Sequence, residues 1–490
     1  MLPNIHKALR EISKSSDFVQ TTITVQGKLL HFSYYASLIN HEQFHHDLLS
    51  FIQTTNCEIE NLDDLKALIP IEEIKASSDL KQISLSLTKG SIFLQIDPHL
   101  NEGLVVNIAD LQLGLRTNND TENEYSVIGP KVGFVENIDT NMNLLRKGLV
   151  SEKLIFEEHT IGSVSKTRVA IAYLEGITNP QHVNTVRQRL LDLDFEVIFD
   201  SSFLDQIIAD NSNTLFPLLI STERVDRIKY SLISGQVAIL SNGSPYVLSG
   251  PTTLFDFLIS PEDYYLPWIL GSFFRLIRYF GVAFSILATS FYVAILTFHY
   301  TVIPKELLSP IIESRINVPF LPLLEVLFLE ITIELLREAG SRLPTKVGQT
   351  LGIVGGIVLG QAAVQAALTS NILLIIVSLS ALASFTTPIF KMSNTIRFLR
   401  FPLIVLASFW GGLGIMIGIM FILGHLMRLK SLGSPYLVPL FPFRYKDYSD
   451  SFIRSSFTLT SNRNKYLRPI LTKRYSLQEG KDIGDDYNNE

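Results

Sequence analysis

The stretch from Val347 to Phe390 contains no Asp, Glu, Lys or Arg across 44 residues. A membrane-spanning helix needs about 20 apolar residues at a rise of about 1.5 Å each. The run is therefore long enough for two spans joined by a tight connection at the polar Thr369-Ser370-Asn371. In the first of these helices Gly348, Gly352, Gly356 and Gly360 recur every four residues, along one slowly drifting stripe. In water such glycines would weaken a helix by about 1 kcal/mol each relative to alanine. Between helices in lipid they let two backbones approach closely. The stripe is expected to face protein and to serve helix packing.

At about 100° per residue, Gln361 lies about 180° around the helix from Gly352. It shares its face with Val354, Val358, Val364, Gln365 and Leu368. A side-chain amide among lipid tails is costly, so this face must meet another helix or water. Two readings follow. The glutamines hydrogen-bond between helices, or the face lines a narrow conduit around a symmetric oligomer.

Around this run the composition changes along the 490 residues. From Met1 to about Leu270 the chain is mixed and charged, from about Ile277 to Met427 it is largely apolar, and after Arg428 it is polar. The expected fold is multi-domain: an N-terminal soluble α/β region of two subdomains (1–160 and 161–260), an all-α integral membrane domain (261–440) and a polar cytoplasmic tail (441–490). The net charge of −6 and the lack of a basic domain argue against a nucleic-acid partner. Cys57 is the single cysteine, which excludes an internal disulfide and a cysteine metal cluster. No glycine-rich phosphate loop, HExxH or nucleophile elbow is present, so neither an enzyme nor a cofactor is expected. The N-terminus lacks an apolar signal core, which places the soluble half on the cytoplasmic side.

In the first subdomain, Asp17 to Ile23 and Lys28 to Tyr35 flank Gly27 as a hairpin. Ile83 to Leu87 and Ser91 to Ile96 read as a second hairpin around Lys89-Gly90. In the second, Val169 to Leu174, Glu196 to Phe199 and Pro217 to Ile220 read as strands alternating with helices, before a hairpin at Asn242-Gly243. That order suggests a small, largely parallel sheet closed by an antiparallel hairpin.

Spans are expected near 277–300, 348–368, 371–390 and 402–427. Between the first two, residues 316–338 are apolar but carry Glu330, Glu334 and Glu338 on one face. Three carboxylates toward lipid would be prohibitive. The helix is expected to be interfacial or re-entrant, its glutamates in water and paired with Arg337 and Arg342, or else an acidic ring at a pore mouth that favours cations. Four crossings keep Arg275, Arg278 and the basic start of the tail on one side, but place Lys391, Arg397 and Arg400 on the other, against the positive-inside bias.

The segment PFLPLLEVLFLEITIELLREAGSRLPTKVGQTLGIVGGIVLGQAAVQAALTSN closely resembles the signature of the GerA family. So do ALASFTTP, RFLRFPLIVLA and RLKSLGSPYLVPLFP, and in the soluble half GPKVGFVENIDTNMNLLRKGL, SKTRVAIAYLEGITNP, GQVAILSNGSPYVL and SPEDYYLPW. The resemblance covers roughly residues 12–445. It implies the A subunit of a spore germinant receptor, in the inner membrane of the endospore, triggering germination. It further implies a permease-like B subunit and a lipoprotein C subunit as partners, contact with membrane lipid, and a homo-oligomer, suspected to be a pentamer, acting as a nutrient-gated cation channel. The alternative is a non-conducting scaffold or signal-relay subunit.

Overall fold

The computed structural model describes residues 5–25, 27–54, 61–71, 73–96, 102–109, 124, 128–342, 356, 358–448, 450–456 and 459–475. Besides a continuous helical stretch over 41–54, the helices are α1 Ile5–Ile12, α2 Leu62–Leu68, α3 Leu80–Leu87, α4 Ile138–Gly148, α5 Pro180–Leu191, α6 Ser201–Ile208 and α7 Val225–Ser234 in the soluble half. They are followed by α8 Trp268–Thr297, α9 Lys305–Arg315, α10 Pro322–Ser341, α11 Asn371–Ser384 and α12 Phe390–Arg428.

The first sheet has the order β1-β2-β4-β5-β3, with every neighbouring pair antiparallel. Its hairpin of β1 (Phe18–Val25) and β2 (Lys28–Tyr35) turns at Gly27, whose φ of +82° suits glycine. β3 is Ile74–Ser77, β4 Ser91–Gln95 and β5 Gly103–Asn107. The expected second hairpin is not there, because Ile83 to Leu87 lies in α3. The Asp79 carboxylate caps α3 by accepting the Lys81 N–H at 3.0 Å, and Ile83 and Leu87, four apart, are its buried face. A helical period was the stronger signal.

The second sheet has the order β6-β7-β9-β10-β8, again antiparallel at every pairing. The expected parallel sheet is therefore wrong. β8 (Ile220–Thr222), α7 and β9 (Val237–Ser241) form a crossover, but β10 (Val247–Gly250) returns between the two strands and pairs with both. A parallel βαβ unit split in this way has only antiparallel neighbours. Glu196 to Phe199 is not a strand. The Glu196 carbonyl accepts the Val164 and Ser165 N–H groups of a loop instead, at 2.9 and 3.1 Å. The second subdomain also begins before residue 161: β6 (Leu154–Ile161) pairs with β7 (Thr167–Leu174), and α4 buries Ile138, Met142 and Leu145 in the same core.

The two subdomains are joined by a buried ion pair. Arg146 on α4 donates through Nε and Nη2 to Asp17 at 2.8 and 2.7 Å, and Ser37 donates to the same carboxylate at 2.7 Å. Burial alone would raise the Asp17 carboxyl. The Arg146 charge and the bonds from Arg146, Ser15 and Ser37 overcome this and hold it below the ordinary 3.8.

In the helical half, α12 is two helices. Gly411 has φ +59° and ψ −134°, a conformation open only to glycine. The limbs on either side fold back on each other. A Cβ on Gly414 would meet the Leu406 carbonyl oxygen at 2.0 Å, and one on Gly418 would meet Leu403 at 2.4 Å. The expected single span at 402–427 is replaced by limbs 390–410 and 412–428, about 31 and 25 Å long at about 1.5 Å per residue.

α8 starts at the soluble half, where Arg275 and Arg278 both bond Asp263 at 3.1 Å. Its far end reaches the α12 turn, where the Gly412 N–H donates to His299 at 3.2 Å. α11 runs back beside it: the Tyr292 hydroxyl bonds Ser370 at 3.1 Å and Ser380 donates to the Ser285 carbonyl at 3.1 Å. Lys391 at the start of α12 bonds Asp205 of α6 at 2.7 Å, so that end lies against the soluble half. The chain after Arg428 returns there too. Ser431 donates to the Leu218 carbonyl at 2.6 Å, Arg463 to the Ile233 carbonyl at 2.7 Å and the Ile470 N–H to the Ile177 carbonyl at 3.0 Å. Residues 459–475 thus cover the second subdomain and are not a separate tail.

Candidate functional site

One face of α10 packs into the helical bundle and buries Glu325, Val326, Leu329 and Glu330, whereas Leu324, Phe328, Ile331 and Leu335 are exposed. Its proline N-terminus needs no amide donor in the first turn, and its buried Val326 and Leu329 face α8, α11 and α12. What makes this burial tolerable is a ladder of arginines from neighbouring segments. Glu325 accepts the Ser370 N–H at 2.7 Å and lies 3.3 Å from Arg315 of α9. One turn and a half further on, Glu330 meets Arg400 of α12 at 2.9 Å, with both side chains 1% exposed. Arg400 also donates to the Ser285 hydroxyl of α8 at 3.1 Å, so one guanidinium ties three helices together. Glu334 lies 3.6 Å from Arg337 and 3.9 Å from Arg397, and Arg337 stacks on the Phe385 ring at 4.4 Å. Glu338 is 64% exposed and bonds Arg342 at 2.5 Å.

The three glutamates proposed for an acidic mouth therefore occupy three environments. Glu330 is enclosed with a counter-charge from α12 of the same chain. Glu334 is half-buried and shared between two arginines, and Glu338 is exposed at the helix end, paired with Arg342. The pairing expected from sequence is met at Glu334 and Glu338. Arg400 and Arg315 escaped it because their partners are 70 and 10 residues away. The signal was the pair Arg397 and Arg400, three apart on α12, which matches the four-residue spacing of Glu330 and Glu334 across an antiparallel contact.

Gly348, Gly352 and Val354 lie outside the described residues. Residues 358–365 are helical and run to a left-handed Ala367, which ends the helix before Ser370. Gly360 faces α11, where an added Cβ would sit 3.5 Å from Leu374, an ordinary contact; nothing lies within 4 Å of such an atom on Gly356. Val358 is 55% exposed, and Gln361 and Gln365 are exposed as well. Val364 and Leu368 are half-buried. Among the described residues, Gln361 and Gln365 thus point away from the rest of the chain.

Among the described residues, the α8 and α12 stretches are long and apolar enough to cross a membrane. Two soluble sheet subdomains joined to such a bundle define a membrane-associated protein with a large soluble half. A profile of the family described as GerA, Bacillus/Clostridium GerA spore germination protein, matches residues 5–466. Spore germination protein GerQA of Bacillus cereus is 44% identical over 478 residues, covering 98% of this chain and 95% of that protein. Spore germination protein A1 of Bacillus subtilis is 36% identical over 452 residues, covering 92% and 93%. The crystal structure of the N-terminal domain of the A subunit of the Bacillus megaterium spore germinant receptor GerK3 is 25% identical, with a TM-score of 0.39, and covers 51% of this chain and 93% of that one. The chain belongs to the GerA family of spore germination proteins.

Proposed function

We propose that this chain is the A subunit of a nutrient germinant receptor in the inner membrane of the endospore, and that several copies assemble into a cation conduit. The observation that carries this reading is the uncovered face of residues 358–368. Two glutamine amides on an apolar helix need either a partner or water. Copies arranged around an axis would give both: amides toward a wet centre, and Val358, Val364 and Leu368 as rings that close it by dewetting. Glu334 and Glu338 remain the candidates for concentrating cations at a mouth.

Six crossings fit this arrangement better than four. They are α8, α10, the helix through 358–365, α11 and the two limbs of α12. An even number keeps the returning chain on the side of the soluble half. It also brings Lys391, Arg397 and Arg400 toward that side, as the positive-inside bias prefers. A permease-like B subunit and a lipoprotein C subunit are the proposed partners, with lipid around the bundle.

The test is cation efflux from spores carrying Val364→Ala or Gln361→Leu, with and without nutrient. Constitutive leakage from the first, and an altered rate from the second, are expected. Normal efflux from both at unchanged receptor levels would leave this chain as a scaffold or signal relay.

A further inference from the structure

The second subdomain holds three large apolar side chains outward. Val164, in the turn between β6 and β7, is 70% exposed, and Phe195 and Phe199, in the segment joining α5 to α6, are 40% and 76% exposed. The two segments are fastened together. Besides the bonds that tie Val164 and Ser165 to the Glu196 carbonyl, the Ser163 N–H donates to the Phe195 carbonyl at 3.0 Å and the Ile198 N–H to the Ser165 hydroxyl at 3.2 Å. Ile198 is buried and packs in one core with Ile161 and Leu204. On either side of it Phe195 and Phe199 turn outward, and each meets the Phe203 ring of α6 edge to face, at 5.7 and 6.0 Å. The aromatic surface is therefore presented by a pinned backbone and not by a loose loop. Grouped apolar surface left uncovered in this way marks contact with another molecule.

The charge around these rings has one sign. Residues 161–166 and 191–200 carry four carboxylates and one cation, Lys166. Asp200 is committed, since it caps α6 by accepting the Ser202 N–H at 3.1 Å. Asp192, Asp194 and Glu196 are exposed and make no ion pair among the described residues. Elsewhere in the same subdomain Glu157 meets Arg187, Glu158 and Asp139 meet Arg168, and Asp210 meets Arg189. The apolar face thus has a negative rim whose carboxylates are not spent on the fold. A membrane surface rich in anionic lipid is repelled by such a rim. Residues 476–490 of this chain, with five carboxylates against Lys481, are repelled as well. The complement is a segment that offers apolar side chains to the rings and Lys or Arg to the rim, cations that aromatic faces also favour.

We propose that this face docks a partner protein through a cationic amphipathic segment, its apolar side chains on Val164, Phe195 and Phe199 and its Lys or Arg side chains on Asp192, Asp194 and Glu196. α6 carries both Phe203, against which the two rings rest, and Asp205, which holds Lys391 of α12 at 2.7 Å. The docked segment would therefore lie one short helix away from the membrane-associated bundle. This inference does not depend on the conduit.

The test is fluorescence anisotropy of labelled peptides on the full chain in nanodiscs of zwitterionic lipid, with empty nanodiscs as the blank. The probes alternate Leu with Lys, Leu with Glu, and Ser with Lys. The Leu–Lys peptide is expected to bind, and the other two to bind at least about tenfold more weakly. Phe195→Ser/Phe199→Ser leaves every charge in place and should weaken the Leu–Lys peptide by a similar factor. Asp194→Lys/Glu196→Lys should turn the preference toward the Leu–Glu peptide. The four altered residues are exposed, so both variants should melt with the parent. Equal binding of the three peptides, no binding of the Leu–Lys peptide, undiminished binding by the phenylalanine variant or an unchanged preference in the charge variant would each overturn the proposal. So would quenching by brominated lipid of a fluorophore on Phe199→Cys in a Cys57→Ser background, which would place the rings in the bilayer. Self-association of the chain that disappears in the phenylalanine variant would overturn it too, by giving the face to a second copy. The comparison of the three peptides on the unaltered chain decides the matter even if a variant fails to fold.

Discussion

Arg400→Met should destabilise the helical bundle more than any other single change on α12. Arg400 and Glu330 are each 1% exposed and meet at 2.9 Å. Removing the arginine leaves a carboxylate in the bundle interior with no counter-charge, and breaking a buried pair in this way costs about 3–5 kcal/mol. Glu330→Leu should cost about as much, because it strands the guanidinium instead. The double variant Glu330→Leu/Arg400→Met removes both charges and fills the space with apolar atoms, so it should lie within about 1 kcal/mol of the parent or above it. The signature is thus strong non-additivity, a coupling of several kcal/mol between residues in contact. At about 2–4 °C per kcal/mol for a domain of this size, each single variant should lower the melting temperature by roughly 10 °C. The assay is far-UV circular dichroism of the purified chain in nanodiscs on heating. Single variants within about 0.5 kcal/mol of the parent, as at an exposed surface pair, would refute the buried geometry. A double variant as unstable as the singles would refute the charge argument and point to shape instead.

Gly411→Ala should lower stability by about 1–3 kcal/mol from the backbone conformation alone, with further loss because the new Cβ would lie 2.9 Å from His299 Nε2; an unchanged melting temperature would mean that α12 does not turn there. Asp17→Asn should cost about 3 kcal/mol or more at neutral pH by stranding Arg146. The folded Asp17 titrates below the unfolded value of 3.8, so its stabilisation is complete above that value and is lost as the pH falls through the lower folded one. The gap between parent and variant, read from melting curves across pH, should therefore close only in acid below about 4; a gap that closes near neutrality would refute this assignment.

The β1–β2 hairpin was legible because alternation, β-branched residues and Gly27 all agreed. The strand expected at Ile83 to Leu87 failed because a five-residue apolar pattern suits both periods, and the Asp79 cap that decides between them lies outside it. The parallel sheet failed for a topological reason. Nothing local in β10 says that it will enter between β8 and β9 rather than extend an edge. In the helical half the uncharged runs revealed the helices, whereas the fate of the glutamates depended on Arg315 and Arg400, whose proximity only the fold creates. Gly411 stands in the sequence among Gly412, Gly414 and Gly418, in a stretch that reads as one apolar span. Its positive φ turns one helix into two, and residue spacing carries no sign of that.

The return of residues 430–475 to the second subdomain has a consequence for the order in which the molecule is made. That subdomain is translated before any apolar helix, yet Leu432 completes one of its cores and the carbonyls of Leu218, Ile233 and Ile177 take donors from the last part of the chain. During synthesis the early domain must therefore wait, with one face open, until the helices have been inserted and the C-terminal segment has emerged on the same side. A chain whose helices are threaded in the wrong sense would deliver that segment to the opposite side and leave the face uncovered. Closure of the soluble half thus depends on the last part of the chain arriving on its own side.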